Sequence, residues 1–158
     1  MTAQLQLGSV TAGDTLPELA LEVTPTTVVL GALASRDWRP MHHDKDFAQN
    51  PNGTRHIFVN TPHNAAYFER YITDWTGPLG RLGRIQFRMK DSVFPGDEMV
   101  FHGSVENVET DATGCGWLDL TVTLTVGDKT TTECSARVAV PTGDGDNPWK
   151  RRGDAWKP

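Results

Sequence analysis

From Leu118 to Val126 the chain alternates without a break: Leu118, Leu120, Val122, Leu124 and Val126 are apolar, and Asp119, Thr121, Thr123 and Thr125 between them are polar. Residues two apart share a face of a strand, so the segment reads as a strand with one dry face and one wet face. Its surroundings repeat the pattern. Ile85, Phe87 and Met89 alternate with Arg84, Gln86, Arg88 and Lys90, and Phe94-Pro95-Gly96-Asp97 then turns the chain. Met99, Phe101 and Val105 carry another strand up to the loop Thr110-Asp111-Ala112-Thr113-Gly114. The turn Gly127-Asp128-Lys129 leads into a last strand from Thr130 to Val140. The C-terminal half is therefore an antiparallel meander whose apolar face needs a cover.

One segment suits that role. Thr61-Pro62 is a strong helix start, because threonine can cap open backbone N–H groups and proline at the first helical position sacrifices no hydrogen bond. The helix is predicted from Pro62 to about Trp75, with Ala65, Phe68, Ile72 and Trp75 as its apolar stripe, Glu69, Arg70 and Asp74 outside, and Gly77-Pro78 as the stop. At 1.5 Å per residue it is roughly 20 Å long, enough to lie across a sheet. The expected class is α+β, with an antiparallel sheet wrapped around one central helix, the hot-dog arrangement.

Upstream, residues 1–20 carry little periodicity, and Gly13-Asp14-Thr15-Leu16-Pro17 reads as an extended lead-in. Leu21 and Val23 suit a strand. Beyond Pro25 the segment to residue 34 suits a helix capped by Thr24 or Thr26, although the Val28-Val29 pair also suits a strand. The hot-dog domain is expected over residues 1–141. Residues 142–158, poor in apolar content, are expected to be a flexible tail whose Trp149 and Trp156 could dock on a partner.

A chain of 158 residues with a formal charge of −5 suits one domain and offers no broad attraction to nucleic acid. It has no apolar run of ~18 residues that could span a bilayer, and the start Met1 to Gln6 lacks the features of a secretion leader, so a cytoplasmic protein is expected, with no nucleic-acid or membrane partner. Cys115 and Cys134 lack zinc-type spacing and are expected as thiols, with no metal site.

The chemistry concentrates in Ser35-Arg36-Asp37-Trp38-Arg39-Pro40-Met41-His42-His43-Asp44. Pro40 keeps Asp37 and His42 off one uninterrupted helix and places them in a bent loop. Asp44 reads as the N-cap of a short helix that Asn50-Pro51-Asn52-Gly53 ends. The basic group Arg81, Arg84, Arg88 and Lys90 reads either as a solvated strand face or as a receptor for phosphates, with Arg84, Arg88 and Lys90 the candidates.

An aspartate ahead of Pro40-Met41-His42-His43-Asp44, together with the later Phe94-Pro95-Gly96-Asp97 turn, resembles the MaoC-like, (R)-specific enoyl-CoA hydratases. Arg36-Asp37-Trp38, Ile57-Phe58-Val59-Asn60 and Arg70-Tyr71-Ile72-Thr73-Asp74-Trp75 are most similar to the small single-hot-dog subunit of actinobacterial steroid side-chain enoyl-CoA hydratases. The resemblance implies addition of water across the double bond of a 2-enoyl-CoA, with a bulky steroid side-chain thioester as the substrate of that subfamily. It implies Asp37 and His42 as the joint acid and base, and the start of the central helix, at Asn60 and Thr61, as the oxyanion and substrate contact. No cofactor is implied, since coenzyme A is part of the substrate, and the partner is a second hot-dog subunit, identical or different. Two departures stand out: Arg39 where many relatives carry asparagine, and Asn60-Thr61 where many carry His-Gly. They keep a non-catalytic subunit open as an alternative, beside a hot-dog acyl-CoA thioesterase.

Overall fold

A computed structural model describes residues 4–158. The expectation that the N-terminus carries no leader falls partly on residues 1–3, outside the described residues. Five strands form one sheet in the order β1-β3-β4-β5-β2, where β1 is Thr15–Glu22, β2 Arg81–Met89, β3 Glu98–Thr110, β4 Gly116–Val126 and β5 Lys129–Val140. Every neighbouring pair is antiparallel. Three α-helices precede β2: α1 (Pro25–Ala34), α2 (Lys45–Gln49) and α3 (Thr61–Thr76).

The alternation that reads as one buried strand face is the face α3 covers. Leu118, Leu120, Val122 and Leu124 are buried, as are Phe68, Tyr71 and Ile72 of the helix. Phe68 packs edge-on against Phe101 of β3 at 5.2 Å and stacks on Phe87 of β2 at 6.1 Å, so one aromatic joins the helix to two separated strands. The hot-dog arrangement is therefore present, with α3 as its central helix.

Sequence and structure differ at three places. The strand β1 begins at Thr15, earlier than the periodicity suggests, and its pairing with β3 slips between Leu16 and Leu19. Pro17 lies in that irregularity and lacks an N–H, which an edge strand tolerates. The N-cap of α3 is Asn60, not Thr61: Asn60 is extended (φ −80°, ψ 163°) and its Oδ1 accepts from the His63 N–H at 3.1 Å, which leaves Thr61 as the first helical residue.

The third difference is the tail, which lies on the outer face of the sheet. Trp156 packs on buried Trp117 with ring centroids 4.9 Å apart, and the Arg81 guanidinium lies 3.5 Å over the Trp156 ring. Arg81 donates to the carbonyls of Pro148 and Arg151, and Arg151 donates to those of Thr113 and Gly114. Composition understates this order because few apolar atoms suffice when two indoles and a guanidinium stack and the backbone carbonyls find donors. Trp156 docks on its own chain, while Trp149 remains 51% exposed. Cys115 and Cys134 are free thiols, both buried. Among the described residues no helix is long and apolar enough to cross a membrane.

Candidate active site

The last turn of α1 delivers Asp37. Ser35 is the C-cap, the Arg36 N–H bonds to the Leu33 carbonyl at 3.1 Å, and the Asp37 N–H reaches back to the Ala32 carbonyl at 2.9 Å. These two bonds form a Schellman closure, whose turning residue adopts a left-handed conformation. Arg36 occupies it with φ 54°, the one non-glycine with positive φ among the described residues. Pro40 then starts a short 3₁₀ turn, Pro40–His42, which brings His42 into the interior. Asp44 caps α2 by accepting from the Phe47 N–H at 3.0 Å.

His42 is 2% exposed, and its Nδ1 lies 2.8 Å from the carbonyl oxygen of Phe58. A carbonyl only accepts, so Nδ1 carries the hydrogen and Nε2 is the ring nitrogen left to exchange a proton. Nε2 lies 3.5 Å from Asp37 Oδ2. The Phe58 ring meets the imidazole edge-on at 4.7 Å and Phe94 at 6.1 Å. Thus the Phe94-Pro95-Gly96-Asp97 turn backs the site: Asp97 Oδ2 holds the Phe94 N–H at 2.9 Å, and the Val59 N–H bonds to the Val93 carbonyl at 2.9 Å.

Asp37 is surrounded by donors. Arg39 Nε lies 2.9 Å from Oδ1 and Nη2 lies 2.8 Å from Oδ2, while Asn60 Nδ2 donates to Oδ2 at 3.1 Å. The Arg39 guanidinium above all, assisted by Asn60 and His42 against the opposing effect of burial, holds the Asp37 carboxyl well below the usual carboxylate range. The pair is therefore an ionised carboxylate beside an imidazole with an open Nε2, which is suited to moving one proton to and from a small molecule resting against both.

Structure brings Asp37, His42 and Asn60 together. Asn60 is 1% exposed and both ends of its amide are engaged, Oδ1 by the helix N–H of His63 and Nδ2 by Ser35 Oγ and Asp37. Its amide thus ties the start of α3 to Ser35 and to the Asp37 carboxylate. Thr61 is exposed at the first helical position beside it. Arg84 and Arg88 lie on the outer face of β2, away from α3, and Lys90 pairs with Glu133, so these three do not converge with Asp37 and His42 within one protomer.

A mostly apolar cleft of about 470 Å³ runs between α1 and α3, with Leu30, Ala34, Ser35, His63 and Tyr67 among its walls; Asp37 and His42 are not among its lining residues, and Ser35, which bonds to Asn60, is the wall residue that links it to them. Ser35, His63 and the Phe58 carbonyl carry no sequence signal of their own. Ser35 reads as an ordinary helix end, His63 as an isolated histidine, and a backbone carbonyl leaves no trace in residue type.

The family described as MaoC like domain matches residues 8–131. The chain belongs to the MaoC-like domain family. It is 40% identical over 96 residues to the 3-oxo-4,17-pregnadiene-20-carboxyl-CoA hydratase beta subunit of Mycobacterium tuberculosis (strain ATCC 25618 / H37Rv), across 61% of this chain and 74% of that protein. Among solved structures, a chain of the ChsH1-ChsH2 complex from Mycobacterium tuberculosis matches with a TM-score of 0.75 at 30% identity, over 82% of this chain and 98% of that one. The (R)-hydratase from A. caviae involved in PHA biosynthesis matches in fold with a TM-score of 0.74 at 22% identity, over 84% of this chain and 98% of that one. In this MaoC-like chain the Asp37 and His42 loop lies within the matched span, and the packed tail lies beyond it.

Proposed function

We propose that the protein is the hydratase subunit of a heteromeric enoyl-CoA hydratase that adds water across the double bond of a 2-enoyl-CoA with a bulky, steroid-like acyl group. The observation that carries this reading is the buried His42 imidazole, its tautomer fixed by the Phe58 carbonyl and its open Nε2 3.5 Å from the Asp37 carboxylate. Hydration needs a group that takes a proton from water as its oxygen attacks the β-carbon, and a group that returns a proton to the α-carbon. Asp37 and His42, placed against one water, form the pair that provides both functions, and such positioned groups contribute about 10²–10⁴-fold in rate. The Thr61 N–H, outside the intrahelical ladder of α3, would donate to the charge that develops on the thioester oxygen.

A second hot-dog subunit fits the apolar surface beside the cleft, where Leu30, Leu33 and Trp38 are 58%, 47% and 65% exposed. The mycobacterial relatives, a hydratase beta subunit and a chain of a two-protein complex, favour a partner different from this chain. The test is loss of enoyl-thioester absorbance with 3-oxo-4,17-pregnadiene-20-carboxyl-CoA, for the chain alone and with a co-expressed second hot-dog subunit. Hydration that falls at least 100-fold in Asp37→Asn and in His42→Ala supports the reading. Unchanged rates in both variants would sink it, and release of free thiol by the wild type would point to a thioesterase.

A further inference from the structure

The residue that the proposed chemistry leaves unused is Arg39. Its guanidinium clamps Asp37 in a two-pronged contact, Nε to Oδ1 at 2.9 Å and Nη2 to Oδ2 at 2.8 Å, and its backbone N–H lies 3.4 Å from Oδ1. Asn60 Nδ2 adds a contact to Oδ2 at 3.1 Å. A carboxylate offers about four lone-pair positions. Those of Asp37 are therefore occupied by Arg39 and Asn60, whereas His42 Nε2 lies 3.5 Å from the Asp37 oxygen, beyond a good hydrogen bond.

Resting on the hydratase reading, we propose that Arg39 is a positioning residue that divides the labour of the pair, holding Asp37 as a fixed anion so that His42 alone carries the proton. In this sequence His42 Nε2 takes a proton from water as the water oxygen bonds to the β-carbon. The π pair of the double bond shifts toward the α-carbon and the thioester, and the imidazolium returns the same proton to the α-carbon. Asp37 stabilises the imidazolium without accepting the proton. Arginine suits this role because its planar fork matches both carboxylate oxygens, which a lysine cannot do.

The charged groups facing the pair are few. Arg39 and Asp37 come from the loop after α1, His42 from the 3₁₀ turn, and α3 contributes the neutral Asn60. Removing the Arg39 cation leaves the Asp37 charge without its main counterion, so protons bind the pair more tightly as a unit. The acid limb of the kcat/KM profile then moves to higher pH.

The experiment measures hydration of 3-oxo-4,17-pregnadiene-20-carboxyl-CoA against pH for the complex carrying wild-type chain, Arg39→Gln, Arg39→Lys, Asp37→Asn and the Arg39→Gln/Asp37→Asn double variant. Arg39→Gln is expected to move the acid limb up by about 1 pH unit. Arg39→Lys should keep the limb near its wild-type position, and the Arg39→Gln effect should vanish when Asp37 is already asparagine. An unmoved limb in Arg39→Gln, or an equal loss with and without the Asp37 carboxylate, overturns the proposal. A carbon-13 titration of the Asp37 carboxyl in the same proteins is independent of turnover. A midpoint that rises in Arg39→Gln supports the clamp even if the wild type adds no water, a result that would refute only the hydratase reading; an unmoved midpoint overturns the clamp.

Discussion

Arg36 sits in the left-handed region with φ 54°, one residue before the Asp37 carboxylate of the candidate site. That conformation costs about 1 kcal/mol or more for a side-chain-bearing residue and is the usual place for glycine at a helix end. Arg36→Gly relieves the strain but also loosens the unfolded chain, so a net gain of up to about 1 kcal/mol is expected. A urea midpoint that rises or holds agrees with this, and one that falls would show that the arginine side chain contributes more than the turn costs. Asn60→Ala acts twice. It removes the α3 cap, for a loss of about 0.5–2 kcal/mol in chemical denaturation, and it removes a donor from Asp37. At this scale Asp37 and His42 were visible in the sequence because Pro40 forces a bend between an acid and a base. The Phe58 carbonyl and the bonds between Asn60, Ser35 and Asp37 were not, since they join residues far apart in the chain and depend on how α1 meets α3.

Among elements, the contact between α1 and α3 is the tightest constraint on the site. Gly31 of α1 faces His63 so closely that a Cβ there would lie 1.8 Å from the imidazole Nδ1. That nitrogen is buried with no hydrogen-bond partner, and burial lowers the pKa of His63, so a neutral ring fills the space. In an exposed helix, glycine to alanine would add about 1 kcal/mol. Here overpacking reverses the sign, and Gly31→Ala is expected to cost about 1–3 kcal/mol and to lower the hydration rate by spreading the helices. A raised thermal midpoint with full activity would contradict this packing. The sheet and α3 were legible because period-two and three-to-four-residue spacings survive in the sequence. The cap of α3 was misread because Thr61 and Asn60 are both competent caps, and backbone conformation chose between them.

For the molecule as a whole, the tail binds the outer face of the sheet to the loop between β3 and β4. Asp111 in that loop accepts from Trp117 Nε1 at 2.9 Å and from the Thr113 hydroxyl at 2.7 Å, bonds that hold its carboxyl well below the usual range. A depressed carboxylate adds stability above its ordinary value near 3.8, which is lost as pH falls through the lower folded value. Asp111→Asn should therefore be less stable than wild type at pH 7, with the gap closing as the pH drops below about 4. A gap that stays constant with pH would rule out the carboxylate charge as its cause. Trp156→Ala, losing its contacts to Trp117 and Arg81, should cost about 1–3 kcal/mol in urea unfolding while the hydration rate holds. The central claim is the proposal that Asp37 and His42, away from the tail, activate water. It is tested most directly by turnover of the enoyl-CoA in oxygen-18 water by the intact complex. The account predicts one labelled oxygen on the β-carbon of the product with wild-type chain, and labelling at least 100-fold slower with Asp37→Asn or His42→Ala. Label in the acid released from a cleaved thioester, or equal labelling by all three proteins, would contradict it.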